Sequence, residues 1–175
     1  ARLPEKVDAA GDLNTLGEQD RSRWDAALVA EGLRLFERSA SGIELSAYHL
    51  EAAIATVHVS APTLRDTDWQ AIVAAYDRLL GIAPSPVVAL NRAIAIGQRD
   101  GAERGLAELH AIVDRERLSH YPFYAAAIGE FESRRGNASA ARRHFQIALA
   151  LGRNDAERRF LEKRLLTCPS GNSKD

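Results

Sequence analysis

The sequence predicts an all-α fold, a right-handed helical-hairpin solenoid of about eight helices. Three observations predict it. Alanine and leucine dominate, aromatic residues are few, and β-branched residues rarely alternate with polar ones, a composition that favours helix over strand. Capping and breaking residues recur along the chain at about the spacing of one helix. The stretch Ala125 to Arg153, AAAIGEFESRRGNASAARRHFQIALALGR, reads as two helices closed by a tight turn. A packed globin-like or four-helix arrangement is the alternative way to bury the same helices.

In that stretch Gly129 and Ala141 are small where two helices would cross closely, with Ile128 and Phe145 filling the space beside the crossing. Gly136 supplies a left-handed residue to end the first helix, and Asn137 can cap the second. With Ala148, these residues stand at the spacing of a tetratricopeptide (TPR) repeat, although Ala125 replaces the usual large aromatic and Arg153 the terminal proline. A second signature, Trp69, Ile72 and Tyr76 at intervals of three and four, reproduces the opening of such a unit.

Taken in order, residues 1–19 carry Pro4, Gly11, Asn14 and Gly17 with little periodicity and read as an extended lead-in. The helical domain is expected over 20–166. Its first helix spans about Asp20 to Ser39, with Trp24, Leu28, Leu35 and Phe36 as the apolar face and Asp25 in the favourable first turn. A second, about Ser46 to Ser60, places Tyr48, Ile54 and Val57 near one face. A third starts at Thr67, whose spacing to Gln70 is that of a capping box, and ends through Gly81 and Pro84. Ser85 caps a fourth, Pro86 to about Gln98, which is apolar around most of its circumference and interrupted by Asn91 and Arg92. A fifth runs from about Ala102 to Asp114, with Leu106, Leu109 and Val113 on one side. The hairpin follows, then an eighth helix from Asn154, at capping-box spacing from Glu157, to Leu166. Residues 167–175 are expected to be a polar, flexible tail that holds the single cysteine, Cys168.

The formal net charge of −1 gives no global field to attract nucleic acid or an anionic membrane. No apolar run reaches the ~18 residues of a membrane span, and no signal-peptide pattern opens the chain. One cysteine cannot form an internal disulfide, which fits a reducing, cytoplasmic setting. There is no methionine, even at position 1, so the sequence reads as a piece of a longer protein.

Catalytic and metal chemistry finds no foothold in the pattern. His49 and His58 lie nine apart, not four, and His110, His120 and His144 have no partner at ligand spacing. Glu130 and Glu132 should diverge on their helix instead of forming an acid–base pair. The expectation is a protein that is not an enzyme and holds no cofactor or metal. Arg134, Arg135, Arg142, Arg143 and His144 form a basic cluster across the hairpin turn, read as a solvated helix end in preference to a phosphate or acidic-partner patch. Asn91 and Arg92, helped by Tyr76, are the candidate partner-binding residues, because polar side chains on a buried helix either satisfy a neighbour or grip an extended peptide.

Five stretches carry a further resemblance: QDRSRWDAALVAEGLRLFERSA at Gln19 to Ala40, YHLEAAIATVH at Tyr48 to His58, TDWQAIVAAYDRLL at Thr67 to Leu80, SPVVALNRAIAI at Ser85 to Ile96, and NDAERRFLEKRL at Asn154 to Leu165. In this order, from about Leu3 to Leu166, they resemble the C-terminal TPR-like extension of bacterial extracytoplasmic-function sigma factors. The lead-in LPEKVDAAGDLNTL looks like that family's connection into its repeat domain. One departure is SASGIELSAY, where a glycine- and proline-rich approach to Tyr48 is expected. The resemblance implies a regulatory or interaction domain whose partners are the protein's own sigma regions, RNA polymerase or a regulatory peptide. The sigma regions that bind polymerase and promoter precede such an extension, and no basic recognition helix occurs in this chain, so direct DNA binding by it is not expected. The alternative is a stand-alone TPR-like adaptor that binds a peptide of an unrelated protein.

Overall fold

The computed structural model describes residues 14–15, 17–39 and 46–168. Among them are eight α-helices and no strand, the all-α helical-hairpin fold that the sequence predicts: α1 (Ala26–Ser39), α2 (Ala47–Ser60), α3 (Trp69–Ile82), α4 (Pro86–Asp100), α5 (Ala102–His110), α6 (Pro122–Arg134), α7 (Ala138–Ala150) and α8 (Asp155–Thr167). Short 3-10 helices cover Arg21–Arg23 and Arg115–Leu118. The chain divides into two compact units, Ala1–Val88 and Ala89–Asp175. Most of the expected lead-in, the approach through residues 40–45, and residues 169–175 of the expected tail lie outside the described residues.

In the first unit, the expected helix from Asp20 begins late. The Asp20 carboxylate accepts from the Ser22 amide at 3.0 Å and its hydroxyl at 2.7 Å, which closes a 3-10 turn, and Trp24 then turns extended. Asp25 restarts the chain as α1, accepting from the Leu28 amide at 3.0 Å. Trp24 is therefore buried, but before the helix and out of its register, and only Phe36 of the expected α1 face turns inward. Leu28 and Leu35 stay 56% and 51% exposed, while Val29, Leu33 and Phe36 turn inward.

In α2 the buried residues are Leu50 and Ile54, one turn apart, followed by the buried Ala61 just past the helix end. Tyr48 sits two residues before Leu50, on the opposite side, and is 82% exposed where an apolar position was expected. At the start of α3 the cap is Asp68, which accepts from the Ala71 amide at 2.9 Å, and not Thr67. Thr67 is buried instead. Its hydroxyl donates to the Thr63 carbonyl and accepts from Arg21, whose guanidinium also donates to the carbonyls of His58 and Ala61, both at 2.8 Å. Arg21 thus satisfies the orphan carbonyls at the end of α2 and ties them to the approach to α3.

The second unit packs around a ring. Phe131 on α6 is buried, and a Cβ added to Gly97 on α4 or Gly105 on α5 would fall inside van der Waals contact of it. Both glycines are absent side chains that make room for one aromatic ring. Leu90, Ala93, Leu106, Leu109, Ile112, Leu118 and Ile128 complete that core. Helix α5 ends at His110, short of the expected Asp114. Asp114 adopts a left-handed backbone, φ 56°, and the following 3-10 helix buries Leu118, leaving Val113 81% exposed.

The α6–α7 hairpin forms as the sequence predicts. Gly136 has φ 80°, and the Asn137 and Gly136 amides donate back to the carbonyls of Glu132 and Ser133 at 2.9 and 3.0 Å, a Schellman closure. Asn137 caps α7 by accepting from the Ala140 amide. Ala141, Phe145 and Ala148 are buried, and a Cβ on Gly129 would lie 3.0 Å from the Phe145 ring. Asn154 caps α8 through the Glu157 amide at 2.9 Å, and Glu157 reaches back to the Arg153 amide. Cys168, expected in a polar tail, is buried against Ala141 and Phe145, its sulfur 3.6 Å from the Ala138 carbonyl oxygen.

Candidate protein-interaction surface

The three residues expected to grip a partner fall in different settings. Tyr76 belongs to the first unit, half-buried on α3, where burial and then the Glu51 carboxylate push its phenol above the ordinary value. The ring therefore stays a neutral hydrogen-bonding group. Asn91 and Arg92 belong to the second unit and are neighbours in sequence, but a helix turns about 100° per residue and separates them. The Arg92 side chain points to α5 and binds Glu108 at 2.8 Å. Glu108 also takes Arg104 at 2.6 Å, so Arg92 sits in a two-arginine, one-carboxylate link between α4 and α5. Asn91 is exposed, and its side chain makes no hydrogen bond to the described residues.

Asn91 lies two turns before Gln98, on the same stripe of α4. Gln98 accepts from Arg134 of α6 at 2.9 Å, Arg134 donates to Glu130 at 3.1 Å, and the other oxygen of Glu130 takes Arg164 of α8. Four side chains thus link α4, α6 and α8 across one face. Sequence reasoning missed this ladder. The Glu130–Arg134 spacing of four was readable, but Gln98 and Arg164 lie 36 and 34 residues from their partners.

The five-residue basic cluster is spread over several faces by the same turn. Arg134 joins the ladder, Arg135 stands 3.9 Å from Glu132, Arg142 reaches the Cys168 carbonyl at 3.5 Å, and Arg143 faces solvent. His144 is half-buried. Burial, then Arg143, and also His110 hold its imidazole below the ordinary value, opposed by Glu132. Glu130 and Glu132 diverge to different partners. The other histidines serve local structure where bonds are formed: His49 Nδ1 accepts from the Ser46 amide at the start of α2, His58 packs edge-on to Trp69 at 5.4 Å, and the His120 carbonyl accepts from Arg153. Among the described residues no three His, Cys, Asp or Glu side chains converge on a metal-sized site, and no described helix is long and apolar enough to cross a membrane.

Residues 1–40 match a family of unknown function, DUF6596, a span that takes in the lead-in, the first 3-10 helix and α1. An uncharacterized protein of Rhizobium meliloti (strain 1021) is 34% identical over 165 residues, covering 94% of this chain. No solved structure matches the chain. The chain spans 38% of the length of its Rhizobium relative, and is similar there to one part of a longer protein.

Proposed function

We propose that this chain is the C-terminal regulatory and protein-interaction part of an extracytoplasmic-function RNA polymerase sigma factor, acting in the cytoplasm in transcription initiation. The observation that carries the reading is the ordered series of five stretches between Gln19 and Leu165, which together resemble that extension. The Rhizobium relative supports it, since nearly the whole of this chain corresponds to a minor part of a longer polypeptide. The surface chemistry supports it too. Within the second unit, the exposed Asn91 amide and the solvent-open Arg134 guanidinium are groups that grip protein segments by hydrogen bonds and ion pairs. Its partners would be the protein's own sigma regions, polymerase or a regulatory peptide, and a tether to the sigma regions would give them an effective concentration up to the millimolar range.

The test has two parts. The full reading frame is expected to encode sigma regions two and four ahead of Ala1, and a frame without them would leave the stand-alone adaptor reading in its place. Removal of Asp20–Asp175 from the full-length protein is expected to change promoter-specific transcription or its response to conditions. Unchanged transcription would end the regulatory reading.

A further inference from the structure

We infer that the face of the second unit formed by Asn91, Gln98, Arg134 and Glu130 binds an extended acidic segment of a partner protein, with a carboxylate on Arg134 and the segment's backbone on Asn91. Asn91 is exposed on the same stripe of α4 as Gln98 and carries an amide, able to donate to and accept from a peptide backbone at once. Arg134 spends its Nε on Glu130 and one terminal nitrogen on Gln98, which leaves the second terminal nitrogen with no partner among the described residues. Its charge is only partly answered, because Glu130 divides its two oxygens between Arg134 and Arg164. Both side chains of the Arg134–Glu130 pair remain open to solvent, at 37% and 28%. A guanidinium bonded along two edges and laid over the Phe131 ring at 5.6 Å is pre-organised to receive a carboxylate along its remaining edge.

Spacing sets the register. Seven residues of helix separate Asn91 from Gln98, about 10 Å at the helical rise, so an extended segment places the carboxylate about three residues from the backbone group held by Asn91. The charge of the patch favours a protein over a nucleic acid. A duplex takes its affinity from many phosphate contacts, whereas this face offers two guanidiniums, Arg134 and Arg164, that share the Glu130 carboxylate.

This inference names the surface through which the regulatory role proposed above would act, yet its test is separate from transcription. The purified chain is mixed with two pools of fluorescein-labelled decapeptides, random except for a central Asp-Asp pair in one and Asn-Asn in the other. The Asp pool is expected to bind at least about fivefold more tightly by anisotropy, with the advantage falling as salt rises. Arg134→Gln is expected to erase the preference. Asn91→Ala, which removes no bond among the described residues, is expected to weaken both pools at least about threefold with an unchanged melting temperature. Equal binding of the two pools, or an Asn91→Ala chain that binds as before, overturns the proposal. Tighter binding of a 20-base-pair mixed-sequence duplex (a probe of about that length), or self-association abolished by Arg134→Gln, overturns the stated occupant in favour of DNA or a second copy.

Discussion

The first unit holds thirteen Asp and Glu against eight Lys and Arg; the second holds fifteen Lys and Arg against eleven Asp and Glu. The overall net charge of −1 is thus a cancellation between an acidic half and a basic half. A field argument made from the total describes neither half. The two units also hold themselves together differently. The second is built on an aromatic ring seated between two glycines and on a hairpin whose small residues allow close crossing. The first leans on one arginine that closes the end of α2, while α1 leaves two leucines in water. Tight apolar packing tolerates changes of volume poorly, whereas a half-open helix face is indifferent to them.

Substitutions can break or sharpen that contrast. The largest effect is expected at the Phe131 seat. Phe131→Ala should cost about 3–5 kcal/mol, and Gly97→Ala should cost a comparable share by forcing the ring out. Combining Gly97→Ala with Phe131→Leu should recover part of the loss in chemical denaturation. Additive losses would mean that ring and glycine do not meet. Next, Ala141→Leu overpacks the α6–α7 crossing and should cost roughly 1–3 kcal/mol, a fall readily seen in the melting temperature. Gly136→Val places a β-branched residue at φ 80°, for about 1–2 kcal/mol. An unchanged denaturation midpoint would contradict the left-handed closure.

A smaller effect depends on pH. Burial, aided by Arg143 and His110 against Glu132, lowers the His144 pKa from 6.5, so the unfolded chain takes up that proton more readily than the folded one. The contribution is fully present above the ordinary value and is lost as pH falls below it. Stability should decline across that window, and His144→Gln should flatten the decline in a pH series of melts. The smallest change belongs to the first unit: Leu28→Ser and Leu35→Ser should each fall within about 0.5 kcal/mol of the parent. A loss of several times that would show that α1 buries this face.

Local rules explain what the sequence made legible. Asn137 and Asn154 accept from amides three residues on, the Gly136 amide donates back to a carbonyl three residues earlier, and the small residues of the α6–α7 crossing repeat at helical spacing. The Phe131 seat was not legible, because Gly97 and Gly105 gain meaning only when a third helix delivers the ring. The start of α1 was misread because two groups competed for the same turn, and Asp20 captured Ser22 before Asp25 could open the helix. Of the candidate site, the sequence picked out Asn91 and Arg92 but could not separate them. Adjacent residues on a helix face different neighbours, and only the position of Glu108, 16 residues on, decides that Arg92 is taken.

The most direct test of the contrast between the units is native-state amide hydrogen exchange followed peptide by peptide. Exchange through local opening reports how much packing each segment must lose. Amides of α4, α6 and α7 are expected to exchange only near global unfolding, and those of α1 orders of magnitude faster, with Phe131→Ala accelerating the former and leaving the latter unchanged. Protection of α1 equal to that of α6, or insensitivity of α6 to Phe131→Ala, would contradict the account.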